Sequence, residues 1–360
     1  MNKIGLLDFD FGLIIPIIIL SFLSLVTLYS LNPLFFQGQF VLLIVSVFAF
    51  LFFSQTNVNI LKLYSKQIYI ISLLILTAVL LIGIESRGAV RWIEFLGFRI
   101  QFSEIIKPFL AVSFAAYLSN LKVFSIKEFV KILILLSPIF LLINFQPDLG
   151  NALIYGFVLI LTLLYIGFPF RFFLSMFIFS VIAFPFLFAF LHDYQKQRIF
   201  TFLNPASDPL GNSYNVIQST IAVGSGMIFG KGIGLGTQSG LKFLPERQTD
   251  FIFATVSEQL GFTGVAILLI SFGYILYKIL SYILSSEDHF QRIFLSISFF
   301  IILVQLFLNI GMNIGIMPIV GVTLPFVSYG GSSLLSNFIF LGLIASIAKG
   351  YKNKEILSIR

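Results

Sequence analysis

The feature that most constrains this chain is a repeated one. Apolar runs near bilayer length follow one another through most of its 360 residues. A hydrocarbon core about 30 Å thick takes roughly 20 apolar residues to cross as a helix. Only 10% of the residues are charged and 58% are hydrophobic, at a mean hydropathy of +1.04. A soluble domain needs more charge than that to stay dissolved. The chain is therefore read as an all-α polytopic membrane protein of about ten transmembrane helices, folded as one domain. Its spans are expected at 11–31, 34–53, 68–84, 104–120, 130–145, 149–167, 171–190, 250–283, 290–313 and 331–349. The first run is too long for a signal-peptide core and lacks a small-residue cleavage pattern, so it is expected to be a retained helix. The eighth is long enough to tilt or to project from the bilayer.

Cysteine is absent, which excludes disulfides, thiolate metal sites and a cysteine nucleophile. His192 and His289 fall on opposite sides of this topology, which argues against a histidine metal site. The formal charge of +7 resides in membrane loops, so anionic lipid is the expected partner and nucleic acid is not. Lys and Arg are more frequent in the loops on the N-terminal side, which puts both termini in the cytoplasm. The outer basic residues gather in two loops, 85–103 and the large extracytoplasmic loop 191–249. The remaining outer loops, 32–37 and 314–330, carry no Lys or Arg. Residues 314–330 are rich in Gly and Pro and nearly uncharged. At membrane depth such backbone must be buried in protein or line a cavity, so a broken segment beside the site is expected, with a tight apolar hairpin as the alternative.

The interruption at 191–258 holds the strongest chemical candidate. Asp250 lies where a polar, glycine-broken loop meets the first turn of a membrane helix, and an acid at that depth is a functional candidate by default. The competing role is a helix cap, with Thr249 and Asp250 opening the eighth span. Glu258 lies two turns further on the same face and would line the same cavity. Glu104 and Lys107 stand one helical turn apart. Either they neutralise each other, or Lys107 faces a cavity as a phosphate contact with Glu104 holding it. Arg91 offers a guanidinium fork suited to a diphosphate, and Trp92, the only Trp, is expected to anchor at the interface. Glycines surround Lys231, but Ser225 and Gly232 break the phosphate-loop pattern, so these glycines are read as turn and packing residues. The stretch YNVIQSTIAVGSGMIF is expected to be a short helix at the outer interface. Asp148 is explained by a polar turn and ranks below Asp250.

Taken together and in order, GAVRWI, QFSEIIK, QPDLGNA, FLNPASDPLGNSYNVIQS, GKGIGLGTQSGLKFLPERQTDFIFA and PFVSYGGSS resemble the SEDS family (shape, elongation, division and sporulation) in its rod-shape RodA branch. The resemblance covers essentially the whole chain. It implies a peptidoglycan glycosyltransferase that polymerises lipid II into glycan strands on the outer face of the bacterial plasma membrane during cell elongation, releasing undecaprenyl diphosphate. It also implies Asp250 as the catalytic base, Arg91 as the anion contact, and the pair Glu104 and Lys107 beside the substrate. Glu258, Lys231, Gln238, Ser328 and Ser332 are the further candidate substrate contacts. The implied partners are lipid II, the growing lipid-linked glycan, a class B penicillin-binding protein, the elongation machinery and membrane lipids. No cofactor follows from it, and a divalent cation is left open. The chain departs from the usual pattern at Val90, Phe102, Gln248 and Gln259. Two other classes are carried alongside: a flippase for the lipid-linked precursor, and a non-catalytic scaffold for the penicillin-binding protein.

Overall fold

A computed structural model describes residues 10–86, 89–95, 98–190, 193–204, 208–209, 211 and 213–358. His192, one of the two histidines, lies outside them. Helices occupy every expected span. The N-terminal half runs α1 (Phe11–Leu31), α2 (Pro33–Gln55), α3 (Val58–Leu63) and α4 (Ser65–Ile82). After a small sheet come α5 (Phe102–Ile105), α6 (Lys107–Ser119), α7 (Ile126–Phe145), α8 (Leu149–Tyr165) and α9 (Phe170–Phe190). The loop region holds α10 (Asp193–Leu203), α11 (Tyr214–Ser225) and α12 (Thr237–Gly240). The chain closes with α13 (Ile252–Ser285), α14 (His289–Asn313) and α15 (Gly331–Ser358). Six of these, α1, α2, α4, α13, α14 and α15, are long and apolar enough to cross a membrane, while α8 and most of α9 are apolar but shorter.

Local chemistry sets the boundaries. Asn32 accepts from the Leu34 N–H and Pro33 opens α2, so one tight turn joins the first two spans. Asp148 caps α8 through the Asn151 N–H, and Asp288 caps α14 through Gln291. At the far end of the first helix Asp10 accepts from Lys278 at 3.0 Å and from the Tyr282 hydroxyl, tying α1 to α13. The core centres on α14, which packs against α6, α8 and α13, while α15 packs along α2.

Two features depart from the expected architecture. Across the stretch 85–103, read as a basic loop, the described residues include a three-stranded antiparallel sheet in the order β1 (Ile84–Ser86), β2 (Ala89–Phe95), β3 (Phe98–Ile100). The pairing sets Glu85 opposite Val90 and Glu94 opposite Arg99. The second departure is in α13, which is not one continuous helix. It breaks at Gly261, whose φ is +64°. A break inside a span strands backbone groups that lipid cannot satisfy. The loop after α11 satisfies them: Lys231 and Gly232 donate N–H to the carbonyls of Glu258 and Gln259, and Phe262 and Thr263 donate to those of Met227 and Ile228. The contact is so close that a Cβ on Gly226 would lie 1.8 Å from the Ser257 carbonyl oxygen. Gly226→Ala must therefore open this seam. A thermal melt in detergent is expected to show a clear loss of stability, of the order of the ~1–3 kcal/mol typical of overpacking.

Candidate functional site

One turn and one irregular segment build the site. Residues 246–251 fold back on themselves, with the N–H groups of Thr249 and Phe251 donating to the Glu246 carbonyl. Glu246 itself adopts φ +49°. The segment between α14 and α15 is non-helical and largely buried, through Val320, Val322, Leu324, Phe326, Val327 and Ser328. It therefore behaves as the broken segment expected there, and it is stitched to the turn. The Ser328 hydroxyl donates to the Thr249 carbonyl at 2.7 Å, and the Tyr329 N–H donates to that of Gln248 at 2.8 Å. Two amides on α14 complete the cradle: Asn309 and Asn313 each donate to the Asp250 carbonyl at 3.0 Å. Asn309 also holds the Val322 carbonyl at 2.7 Å. The Asn313 side-chain oxygen accepts from the Ala254 N–H, covering an orphan donor at the start of α13.

This arrangement removes the competing role, in which Thr249 and Asp250 would cap the eighth span. Helix α13 begins at Ile252 with no side-chain cap. The Asp250 carboxylate has no hydrogen bond to any described residue and faces a cavity of about 520 Å³. Its lining includes Arg91, Trp92, Arg99, Gln101, Glu104 and Asn151, with Arg198, Glu246, Thr249, Thr323, Tyr329 and Ser332. The carboxyl pKa is pushed up to about 6: burial raises it first, the Glu246 charge raises it further, and Arg91 and Arg198 pull it back. An acid poised just below neutrality is ionised at working pH yet basic enough to take a proton.

The other expected site residues divide. Arg91 reaches the cavity from β2, stacked on Trp92 with its guanidinium carbon 4.3 Å from the ring. Trp92, expected as an interfacial anchor, also lines the cavity. Ser332 lines the cavity too and accepts from the Gln101 N–H at 2.8 Å. The Glu104–Lys107 pair is present at 2.8 Å, but its order is inverted. Lys107 is 1% exposed beneath the floor, while Glu104 faces the cavity. The cation holds the acid because α6 turns Lys107 inward among Leu110, Tyr155 and Ile301.

Glu258, Lys231 and Gln238 are not at this cavity. Glu258 is 0% exposed and accepts from the N–H groups of Gln238 and Ser239, both at 2.8 Å. It also accepts from the hydroxyls of Ser239 and Thr237 and from Lys231 at 3.2 Å. Shared helix face put Glu258 beside Asp250 on paper, but the glycine-rich loop occupies the space in front of it. Ser328, likewise, acts on the backbone of the Asp250 turn. Residues that a sequence reading missed include Arg99, Arg198, Gln101, Asn151, Asn309 and Asn313. The last two carried a usable signal, since a pair of amides four residues apart inside an apolar span needs polar partners. Among the described residues, no group of three or more His, Asp or Glu is placed to hold a metal ion.

Comparison with known proteins agrees with this architecture. The family model for FtsW, RodA and SpoVE, described as cell cycle protein, matches residues 3–353. The chain is 40% identical over 298 residues to the peptidoglycan glycosyltransferase MrdB of Escherichia coli, covering 82% of this chain and 80% of that one. It superposes with a TM-score of 0.83 and 30% identity on a chain of a peptidoglycan synthase complex that coordinates polymerization and crosslinking, covering 96% and 99% of the two. The rod shape determining protein RodA of Thermus thermophilus matches at a TM-score of 0.73 and 25% identity, over 96% and 98%. With all but its ends matched and the membrane fold shared, this chain belongs to the FtsW, RodA and SpoVE family.

Proposed function

We infer that this multi-pass membrane protein is a peptidoglycan glycosyltransferase, joining lipid-linked sugars into glycan strands. The observation that carries the reading is the state of Asp250: an uncapped carboxylate, raised to about 6, facing a cavity flanked by Arg91 and Arg198. The relatives named as peptidoglycan glycosyltransferases match over most of the chain length. The substrate is lipid II together with the growing lipid-linked glycan. The site faces the extracytoplasmic side, and both termini are cytoplasmic.

Asp250 takes the proton from the acceptor sugar's 4-hydroxyl as that oxygen attacks the anomeric carbon of the donor. The bond from that carbon to the diphosphate oxygen breaks, with inversion, and undecaprenyl diphosphate leaves. Arg91, with Arg99 and Arg198 on the same cavity, offsets the negative charge that grows on the leaving group. Fixed cations aimed at developing charge are the strongest single aid such a site can provide. A class B penicillin-binding protein then cross-links the product, in keeping with the synthase complex that contains a similar chain. An enzyme working from one side fits better than a flippase. The space below Lys107 is lined almost wholly by apolar side chains, among them Leu110, Phe114, Leu159 and Ile301, a poor path for a charged head group.

The pH dependence tests the assignment. The base must be ionised, so kcat/KM for polymerisation of labelled lipid II in vesicles is expected to fall as pH drops, with an apparent midpoint about 6. A profile flat from pH 5 to 8 would remove Asp250 from the proton transfer.

A further inference from the structure

The cavity is electrically divided, and its floor is as specific as its rim. Asp148, 3% exposed at the start of α8, is more than the turn residue expected from its place in the sequence. Its carboxylate accepts from the Gln101 side-chain amide at 2.6 Å, the Ser103 hydroxyl at 3.0 Å and the Asn151 side-chain amide at 2.8 Å. A carboxylate can only accept here. It therefore fixes which end of the Asn151 amide faces it: the NH₂ group turns to Asp148 and to Ser103. The carbonyl oxygen of Asn151, a residue that lines the cavity, is left buried with no partner. Beside it, Glu104 gives Oε1 to Lys107 and leaves Oε2 equally without a partner. Two shielded acceptors without donors are each destabilising, having given up water for nothing. Such a cost is kept where a ligand supplies what is missing.

We propose that Asn151 and Glu104 form a sugar-reading floor, taking hydrogen bonds from the hydroxyl and acetamido N–H groups of the lipid-linked aminosugar, with Asp148 as the residue that positions Asn151. This rests on the glycosyltransferase reading above and adds where the sugar is recognised. The diphosphate is the wrong ligand for this floor, since its oxygens bring lone pairs to lone pairs. It belongs with Arg91, Arg99 and Arg198. The sugar is the part of the substrate rich in O–H and N–H donors, and a site built to accept them discriminates strongly against a ligand that lacks them.

Trp92 is the only Trp and lines the cavity, so its fluorescence reports binding without turnover. The experiment titrates the full-length protein in detergent with two probes: lipid II, and undecaprenyl diphosphate, which has no sugar. Asn151→Leu is expected to weaken lipid II binding roughly tenfold, the worth of one or two such hydrogen bonds, and to leave undecaprenyl diphosphate binding unchanged. Asp148→Asn, which frees the amide to turn over, is expected to give the same sugar-selective loss, and adding it to Asn151→Leu is expected to cost little more. Equal weakening toward both probes, or none toward lipid II, overturns the proposal. A misfolded variant would lose both probes together, and its melt would show it; Asp148→Asn then decides alone. Because no chemistry is read, failure of Asp250 as the base would leave this pattern intact, and loss of the pattern would leave the pH profile intact.

Discussion

Asp250→Asn is expected to lower the rate of glycan polymerisation by about 10²–10⁴-fold, the usual contribution of a positioned general base, with little change in substrate affinity. Asn preserves size and shape, and the backbone carbonyl that Asn309 and Asn313 hold is untouched. The protein should therefore stay folded, and the sign of the stability change can be worked out. The folded-state carboxyl is raised to about 6 from an ordinary 3.8. Ionising it thus costs stability that the unfolded chain does not lose, a cost that sets in as pH rises between those values and persists above them. Near pH 7 the neutral amide escapes that cost, so the variant should melt at the same temperature or higher. Loss of activity with retained or increased stability is the pattern of a group kept for chemistry and not for the fold. Gel detection of product from labelled lipid II, alongside a thermal melt, checks both halves. Full activity in the variant would end the assignment.

Glu258→Ala is expected to do the reverse, damaging the fold first. Its side chain gathers two backbone N–H groups, two hydroxyls and Lys231 onto one carboxylate inside a membrane helix. Removing it leaves those donors facing a void, next to the break at Gly261 that the same loop seals. A loss of roughly 3 kcal/mol or more is expected from the stranded donors and the broken pair, read as a large drop in melting temperature. Glu258→Gln, which keeps the shape and one acceptor, should fall between. The contrast with Asp250 is the point of the test. Were Glu258→Ala to melt like the parent protein while losing lipid II binding, the structural role would be wrong and a substrate contact would stand in its place.

The two carboxylates show how far a sequence reading carries and where it stops. Both lie on or at the start of one span, eight residues apart, and helical periodicity puts them on one face. Periodicity does not reveal what packs against that face. A glycine at position 261 with positive φ breaks the helix between its two halves, and the loop drawn in to satisfy the broken backbone takes Glu258 for itself. The Glu104–Lys107 pair shows the same gap. Spacing predicts the ion pair, and it forms, but which partner faces the cavity depends on the packing of α6 against α14 and α4.

By itself the sequence determined the membrane class, the position of each long helix, the acid at the lip of the eighth span and the family. Each follows from features local in the chain: run length, composition, and short motifs in order. The tertiary structure alone decided that Gln101, Ser103 and Asn151 meet at Asp148, that Ser328 and Tyr329 hold the turn of Asp250, and that Arg99 and Arg198 share its cavity. Asn151 apart, the partners joined by side-chain hydrogen bonds lie 45 to 79 residues from one another along the chain. Helical period fixes which face of an element is apolar, but which elements meet is settled by the requirement that every buried polar group, in lipid above all, find a partner somewhere in the whole molecule.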